Sequence, residues 1–236
     1  MQGFVRHGPD LRSARLPTGV PHAFTTRRRA VARPADLLPA LVRADLEPPT
    51  RVWLTRQVHG NALTGPGQRF AAADAHLSDD PDLAVAVKTA DCVPLLLATA
   101  DGRAVAAVHA GWRGLAPETH VIRHAVDALC RLASVPSDRL LAVVGPCVSA
   151  ERYEVGPEVA ARFRSAYPAA VRDDLGPKPH LEIRAVALIQ LLTLGLPRAA
   201  VQVMPTCTFD HPADWYSFRR DGPGVGHQYA MIAPRR

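Results

Sequence analysis

Three strand-like segments of this 236-residue chain end on side chains that bind metals. Ala104 to Val108 runs into His109, followed by Ala110-Gly111-Trp112-Arg113-Gly114. Val52 to Val58 ends on His59-Gly60, and Leu83 to Lys88 leads through Thr89-Ala90-Asp91 to Cys92. A strand that stops at a small residue or glycine presents its last side chain at the sheet edge, open to a ligand. Two imidazoles and a thiolate suit zinc, which in catalytic sites keeps three protein ligands and one free position. Water in that position has its pKa lowered from about 15.7 to about 7, and an anionic nucleophile fits there equally. Metal binding would deprotonate Cys92 and make it a ligand rather than a nucleophile. There is no zinc-finger Cys-x-x-Cys pair, and either histidine alone reads as readily as a hydrogen-bonded structural residue. Their shared position at strand ends is what groups His59, Cys92 and His109.

The neighbours of these residues carry further chemistry. Asp91 precedes Cys92 and suits an acid/base or orienting role, or the cap of a turn. Gln57 lies two residues before His59. On a strand the two face one side, where Gln57 offers an amide to a substrate. Arg113 can hold an anion bidentately or form a salt bridge on the sheet edge. Trp112 can stack on an aromatic ring, and core packing accounts for it as well.

The elements that must position these residues alternate between β and α from Arg51 onward. Strands are expected at 51–58, 83–89, 93–99, 104–109, 140–144, 201–204, 215–218 and 229–233. The first fifty residues read as irregular, with a short strand at 23–26 and a short helix near 35–45. Pro117-Glu118 suits a helix start, and Val121, Ile122, Ala125, Val126 and Leu129 recur at helical spacing up to Ala133. Pro157 to Tyr167 and Leu181 to Leu194 read as further helices, the second apolar at most positions. Strands outnumber helices, so the expected class is α/β or α+β, a sandwich with helices outside packed sheets. No Gly-x-Gly-x-x-Gly and no P-loop supports nucleotide binding of those kinds.

Composition narrows the function classes. Hydrophobic residues make up 47% of the chain, enough for one sizeable core, and residues 1–236 read as a single domain. No apolar run reaches membrane-spanning length, and Met1 to His7 lacks a signal-peptide core, so no membrane partner and a cytoplasmic location are expected. Cys92, Cys130, Cys147 and Cys207 are widely separated and suggest no disulfide framework. The net charge of +6 comes from arginine, with Lys88 and Lys178 the only lysines. The one tight basic cluster, Arg27-Arg28-Arg29, reads as a solvated loop. A preference for anionic substrates follows, with no nucleic-acid partner.

At the strand ends the sequence resembles a known family. Gln57-Val58-His59-Gly60, Thr89-Ala90-Asp91-Cys92-Val93-Pro94, Val108-His109-Ala110-Gly111-Trp112-Arg113-Gly114 and Gly145-Pro146-Cys147 are similar, in order, to signatures of the YfiH-type family. That family is also called laccase-like or polyphenol-oxidase-like and includes purine nucleoside phosphorylases. Tyr153-Glu154-Val155-Gly156, Cys207-Thr208 and Tyr216-Ser217-Phe218-Arg219-Arg220 match later segments. The resemblance implies an αββα-type sandwich with zinc bound by His59, Cys92 and His109. It implies phosphorolysis of adenosine, inosine and methylthioadenosine, with adenosine deamination as a side reaction. Purine nucleoside and phosphate are then the partners, with Arg27 and Arg113 expected at the pocket mouth beside the anion. The chain departs from the family in places, including a missing Asn-Leu-Gly segment and a short N-terminal region. Arg27 is followed by Arg28-Arg29-Ala30 instead of a Gly-Gly turn, and Gly226-His227 stands where Gly-Arg is usual.

Other readings compete. A zinc hydroxide would also attack an amide of a cell-wall precursor. A thiol hydrolase would use Cys92 with His109 as base. Blue-copper sites share the His-His-Cys set but usually add an axial Met, and Met1, Met204 and Met231 lie outside every motif.

Overall fold

The computed structural model describes residues 3–42, 46–68 and 72–236. It opens on β1 (Phe4–His7), β2 (Asp10–Ser13) and β3 (His22–Thr25). Next come β4 (Arg51–Trp53), β5 (Leu63–Thr64), β6 (Ala75–Ser78), β7 (Leu83–Thr89), β8 (Val93–Thr99) and β9 (Val105–Ala110). They lead into α1 (Trp112–Leu115), α2 (Val121–Ala133), β10 (Leu140–Val144), α3 (Pro157–Arg164), β11 (Val171–Arg172) and β12 (His180–Leu181). The chain closes with α4 (Ile183–Thr193), β13 (Val201–Val203), α5 (Phe218–Asp221) and β14 (Gln228–Ile232). Two six-stranded sheets result, ordered β1-β2-β3-β14-β7-β4 and β13-β10-β8-β9-β6-β5.

Alternation along the strands sorts the core into three layers. On β7, Val85 and Val87 face the second sheet, while Ala84 and Ala86 face outward. On β8, Leu96 and Ala98 meet the first sheet, and Leu95 and Leu97 meet the helices. Both faces of each central strand are therefore buried, which explains their unbroken apolar runs. Helices α2 and α4 cover the second sheet, and α2 buries Val121, Ile122, Ala125, Val126 and Leu129. A 3-10 helix, Pro34–Leu41, covers the first sheet with Leu37, Ala40 and Leu41. This is the expected mixed αββα sandwich.

Several expected elements differ. The first fifty residues hold three paired strands rather than an irregular stretch. The helix near 35–45 is a 3-10 turn with Pro39 inside it, since proline removes an N–H needed for an α-ladder; residues 43–45 lie outside the described residues. The strand expected at 51–58 stops at Trp53, where the chain leaves one sheet for the other. Pro117 holds the preceding Ala116 extended and sits in a turn; the long helix starts only at Val121. Residues 215–217 are not a strand, because Ser217 caps α5 by accepting the Arg220 N–H at 3.2 Å.

One consequence concerns acid stability. His76 on β6 is buried, with Nδ1 2.8 Å from Thr64 Oγ1 and Nε2 3.0 Å from Thr55 Oγ1. Burial lowers its pKa to about 4 from the usual 6.5, against the pull of Asp74. The unfolded chain takes up this proton first, so stability present above pH 6.5 is lost as pH falls toward 4. The loss is about 3 kcal/mol. Urea unfolding between those pH values should show a smaller acid slope for His76→Gln than for wild type. Equal slopes would remove His76 from the acid response.

Candidate metal centre and its cavity

The three strand-end residues meet where the chain passes between the sheets. His59 lies on the crossing from β4 to β5, Cys92 on the crossing from β7 to β8, and His109 on β9. Their donor atoms lie within 4.8 Å of one another. The His59 and His109 rings stand edge to face, with centroids 4.7 Å apart and planes at 88°. His109 is buried and His59 exposed, so the group is anchored inside and opens outward.

A buried carboxylate that the sequence does not announce organises this group. Asp74 precedes β6 and is 0% exposed. His109 Nδ1 donates to Asp74 Oδ1 at 2.7 Å, which leaves Nε2 for a metal. Three successive backbone N–H groups converge on the same carboxylate. His59 donates to Oδ1 at 2.9 Å, and Val58 and Gly60 donate to Oδ2 at 3.2 and 2.8 Å. His59 takes φ +59°, the left-handed geometry that lets neighbouring amides point to one anion. Burial alone would raise the Asp74 pKa, but the His109 and amide hydrogen bonds hold it below the usual carboxylate range.

The charges of the donors suit a cation. Burial would raise the Cys92 thiol, but His109 and His59 bring it down to about 6. Burial would lower His109, but the Cys92 sulfur and Asp74 raise it to about 9. The protein thus stabilises a thiolate beside protonated imidazole, and a divalent ion would take the place of that proton. Gly111 leaves the required room: a Cβ there would sit 3.1 Å from Cys92 Sγ and 3.2 Å from His59 Cδ2. Its φ of −78° demands no glycine, so close approach to the donors is the reason for one.

A cavity of about 850 Å³ opens beside these donors. Gln57, Asp91 and Arg113 line it as well, but Arg27 does not. Arg27 lies over the Tyr216 ring at 5.0 Å and donates to Pro212 O at 2.7 Å. The Gln57 amide is engaged twice with the backbone of Lys88, each bond 2.8 Å. Asp91, at φ +99°, is buried, and its carboxylate accepts from Thr208 Oγ1 at 2.5 Å, Ser217 Oγ at 3.1 Å and Arg219 N at 2.7 Å. Asp91 therefore ties the segment bearing Phe218 and Arg219 to the Cys92 turn. Trp112 carries the Arg113 and Arg162 guanidinium groups at 4.5 and 5.2 Å from its ring centroid.

Sequence reasoning assigned no role to several residues of this site, among them Asp74, Lys88, Tyr153 and Arg219. Lys88 adjoins one matched motif, while Tyr153 and Arg219 stand inside others; Asp74 stands in an alanine-rich stretch with no signal. Lys88, Arg113 and Arg219 all line the cavity, and none makes an ion pair among the described residues. Arg219 instead lies over Tyr153 at 5.0 Å. Burial first, and then the Cys92 sulfur, hold the Tyr153 phenol well above the usual range, so it stays an O–H donor.

Fold and site together define a two-sheet sandwich with a His-Cys-His group at the crossing between its sheets. The chain belongs to the multi-copper polyphenol oxidoreductase laccase family, whose profile matches residues 22–235. It is 34% identical over 249 residues to a purine nucleoside phosphorylase of Deinococcus radiodurans, covering 97% of this chain and 94% of that one. It is 29% identical to adenosine deaminase RL5 from an unknown prokaryotic organism, covering 76% and 73% of the two chains. Among solved structures, a Neisseria meningitidis protein of family DUF152 matches with TM-score 0.79 and 27% identity, covering 100% of both chains. Relatives of this chain are thus enzymes of purine nucleoside chemistry by name.

The role of Asp74 can be measured. Asp74→Asn places an amide N–H₂ among donors and removes the charge that orients His109. Metal affinity, read by competition with a chromophoric chelator, should fall about 10–100-fold. Unchanged affinity would show that the carboxylate does not support the donors.

Proposed function

We propose that the protein is a zinc-dependent purine nucleoside phosphorylase acting on adenosine, inosine and methylthioadenosine, with adenosine deamination as a side reaction. One observation carries this reading: a single cavity joins the His-Cys-His group to three cations that make no ion pair among the described residues. Phosphate is the anion that such a set gathers, and the names of the relatives supply the nucleoside. Zinc is favoured over copper because the donors are two imidazoles and a thiolate with no methionine in the cavity lining. Met204 and Met231 are packed in the core.

In this reading phosphate attacks the anomeric carbon of the ribose and the purine departs. A zinc held by His59, Cys92 and His109 would add positive charge beside the anionic reactant. Lys88, Arg113 and Arg219 bind and orient phosphate, offering preorganised charge where water would have to reorganise. Tyr153 presents a neutral hydroxyl to the bound substrate. Asp91 holds Arg219 and Phe218 at the wall. Gln57 fixes the Lys88 backbone through its paired amide bonds. Arg27 lies over Tyr216 and outside the cavity lining, so it is given no part in binding phosphate.

Purified protein mixed with adenosine should release adenine only when phosphate is present, while inosine reports deamination. Lys88→Ala and Arg219→Ala should each raise the phosphate KM about ten- to a hundredfold, with a smaller effect on the nucleoside KM. Adenine release independent of phosphate would mean hydrolysis, and no nucleoside turnover by zinc-loaded protein would end the assignment.

A further inference from the structure

Thr89 is the last residue of β7 and lines the cavity, yet its hydroxyl has no hydrogen-bond partner among the described residues. The residue is 2% exposed, so bulk water does not serve it. Four other buried threonines have partners for their hydroxyls. Thr25 accepts the Tyr229 N–H, Thr64 bonds His76, Thr99 donates to Asp101 and Thr208 donates to Asp91. Buried hydroxyls are nearly always paired, and an exception at a site calls for a partner that the protein itself does not supply.

The strand fixes where this hydroxyl points. Val85 and Val87 face the space between the sheets, and Thr89 continues that row by the two-residue period of a strand. On β9 the same alternation sends Val105 and Ala107, and therefore His109, into that space. Thr89 thus stands on the inner wall of the cavity, on the side of His109. Lys88 alternates to the opposite face of β7 but still lines the cavity at the strand end, and Arg113 and Arg219 are exposed. The cationic rim already suits the anion. A neutral hydroxyl, able both to donate and to accept, matches an uncharged polar group.

We infer that Thr89 is a substrate-contacting residue whose hydroxyl bonds a neutral polar group of the nucleoside. The inference rests on the proposed nucleoside reaction. It also explains why a threonine stands where valine would fill the same volume: an apolar isostere would spare the protein an unsatisfied group.

The test uses full-length, zinc-loaded protein with Thr89→Val and Thr89→Ser. Thr89→Val should raise the adenosine KM by about tenfold or more, leave the phosphate KM within about twofold, and leave Tm unchanged or higher. Thr89→Ser, which keeps the hydroxyl, should stay near wild type in adenosine KM. An unchanged adenosine KM in Thr89→Val would overturn the inference, as would a shift confined to phosphate. A lowered Tm in Thr89→Val would assign the hydroxyl to the fold and overturn it equally. Should wild type show no phosphorolysis, the functional reading fails by itself, and calorimetric titration with adenosine then decides. Weaker binding by Thr89→Val upholds the contact, and equal binding or no binding by wild type rejects it.

Discussion

The hydrogen bonds converging on the Asp74 carboxylate are the constraint on which the site depends. A buried carboxylate is unfavourable unless its lone pairs are filled, and here four donors fill them. Each charge-assisted bond contributes about 1.5–3 kcal/mol. In exchange the carboxylate fixes three separate pieces of chain. It sets the left-handed turn at His59, the tautomer and tilt of His109, and the approach of the β4–β5 crossing to the second sheet. Backbone bonds reinforce the junction: His109 N donates to Asp74 O at 2.7 Å, and Asp74 N donates to Ala62 O at 2.9 Å. Without this anchor the two imidazoles have no common reference.

A second buried carboxylate does the same for the opposite wall. Asp91 gathers Thr208, Ser217 and the Arg219 N–H, while its own carbonyl accepts the Val148 N–H at 3.0 Å. Loops far apart in sequence are thereby held against the Cys92 turn. The division of charge is consistent. Asp74 and Asp91 are engaged by protein donors, whereas Lys88, Arg113 and Arg219 make no ion pair among the described residues. On the proposed function, such preorganisation would let the cavity receive an anion with little rearrangement.

The parts legible in the sequence were those with distinctive chemistry at element ends. His59, Cys92 and His109 stood out because each closes a strand-like segment and sits beside Gly, Ala or Asp. The α/β or α+β sandwich class followed from the excess of strands over helices and the helical spacing of α2, while the αββα arrangement was implied by the family resemblance. What was hidden depends on tertiary pairing. β1, β2 and β6 are four residues each, too short for a period, and β6 reads only Ala-His-Leu-Ser because both its faces are buried. Asp74 looks like any loop acid until its donors are seen. The engagement of Gln57 and Asp91 by partners within the protein was equally invisible, since spacing tells which side a residue faces and not what already occupies it. Trp215-Tyr216-Ser217-Phe218 carries strand-forming residues, yet capping by Ser217 and the Asp91 contact prevail over that local preference.

X-ray absorption at the zinc edge of the purified protein tests the central claim most directly. The arrangement predicts a first shell with one sulfur at about 2.3 Å and imidazole nitrogens at about 2.0–2.1 Å, the sulfur disappearing in Cys92→Ser. A shell without sulfur in the wild-type protein, or one unchanged in that variant, would contradict it.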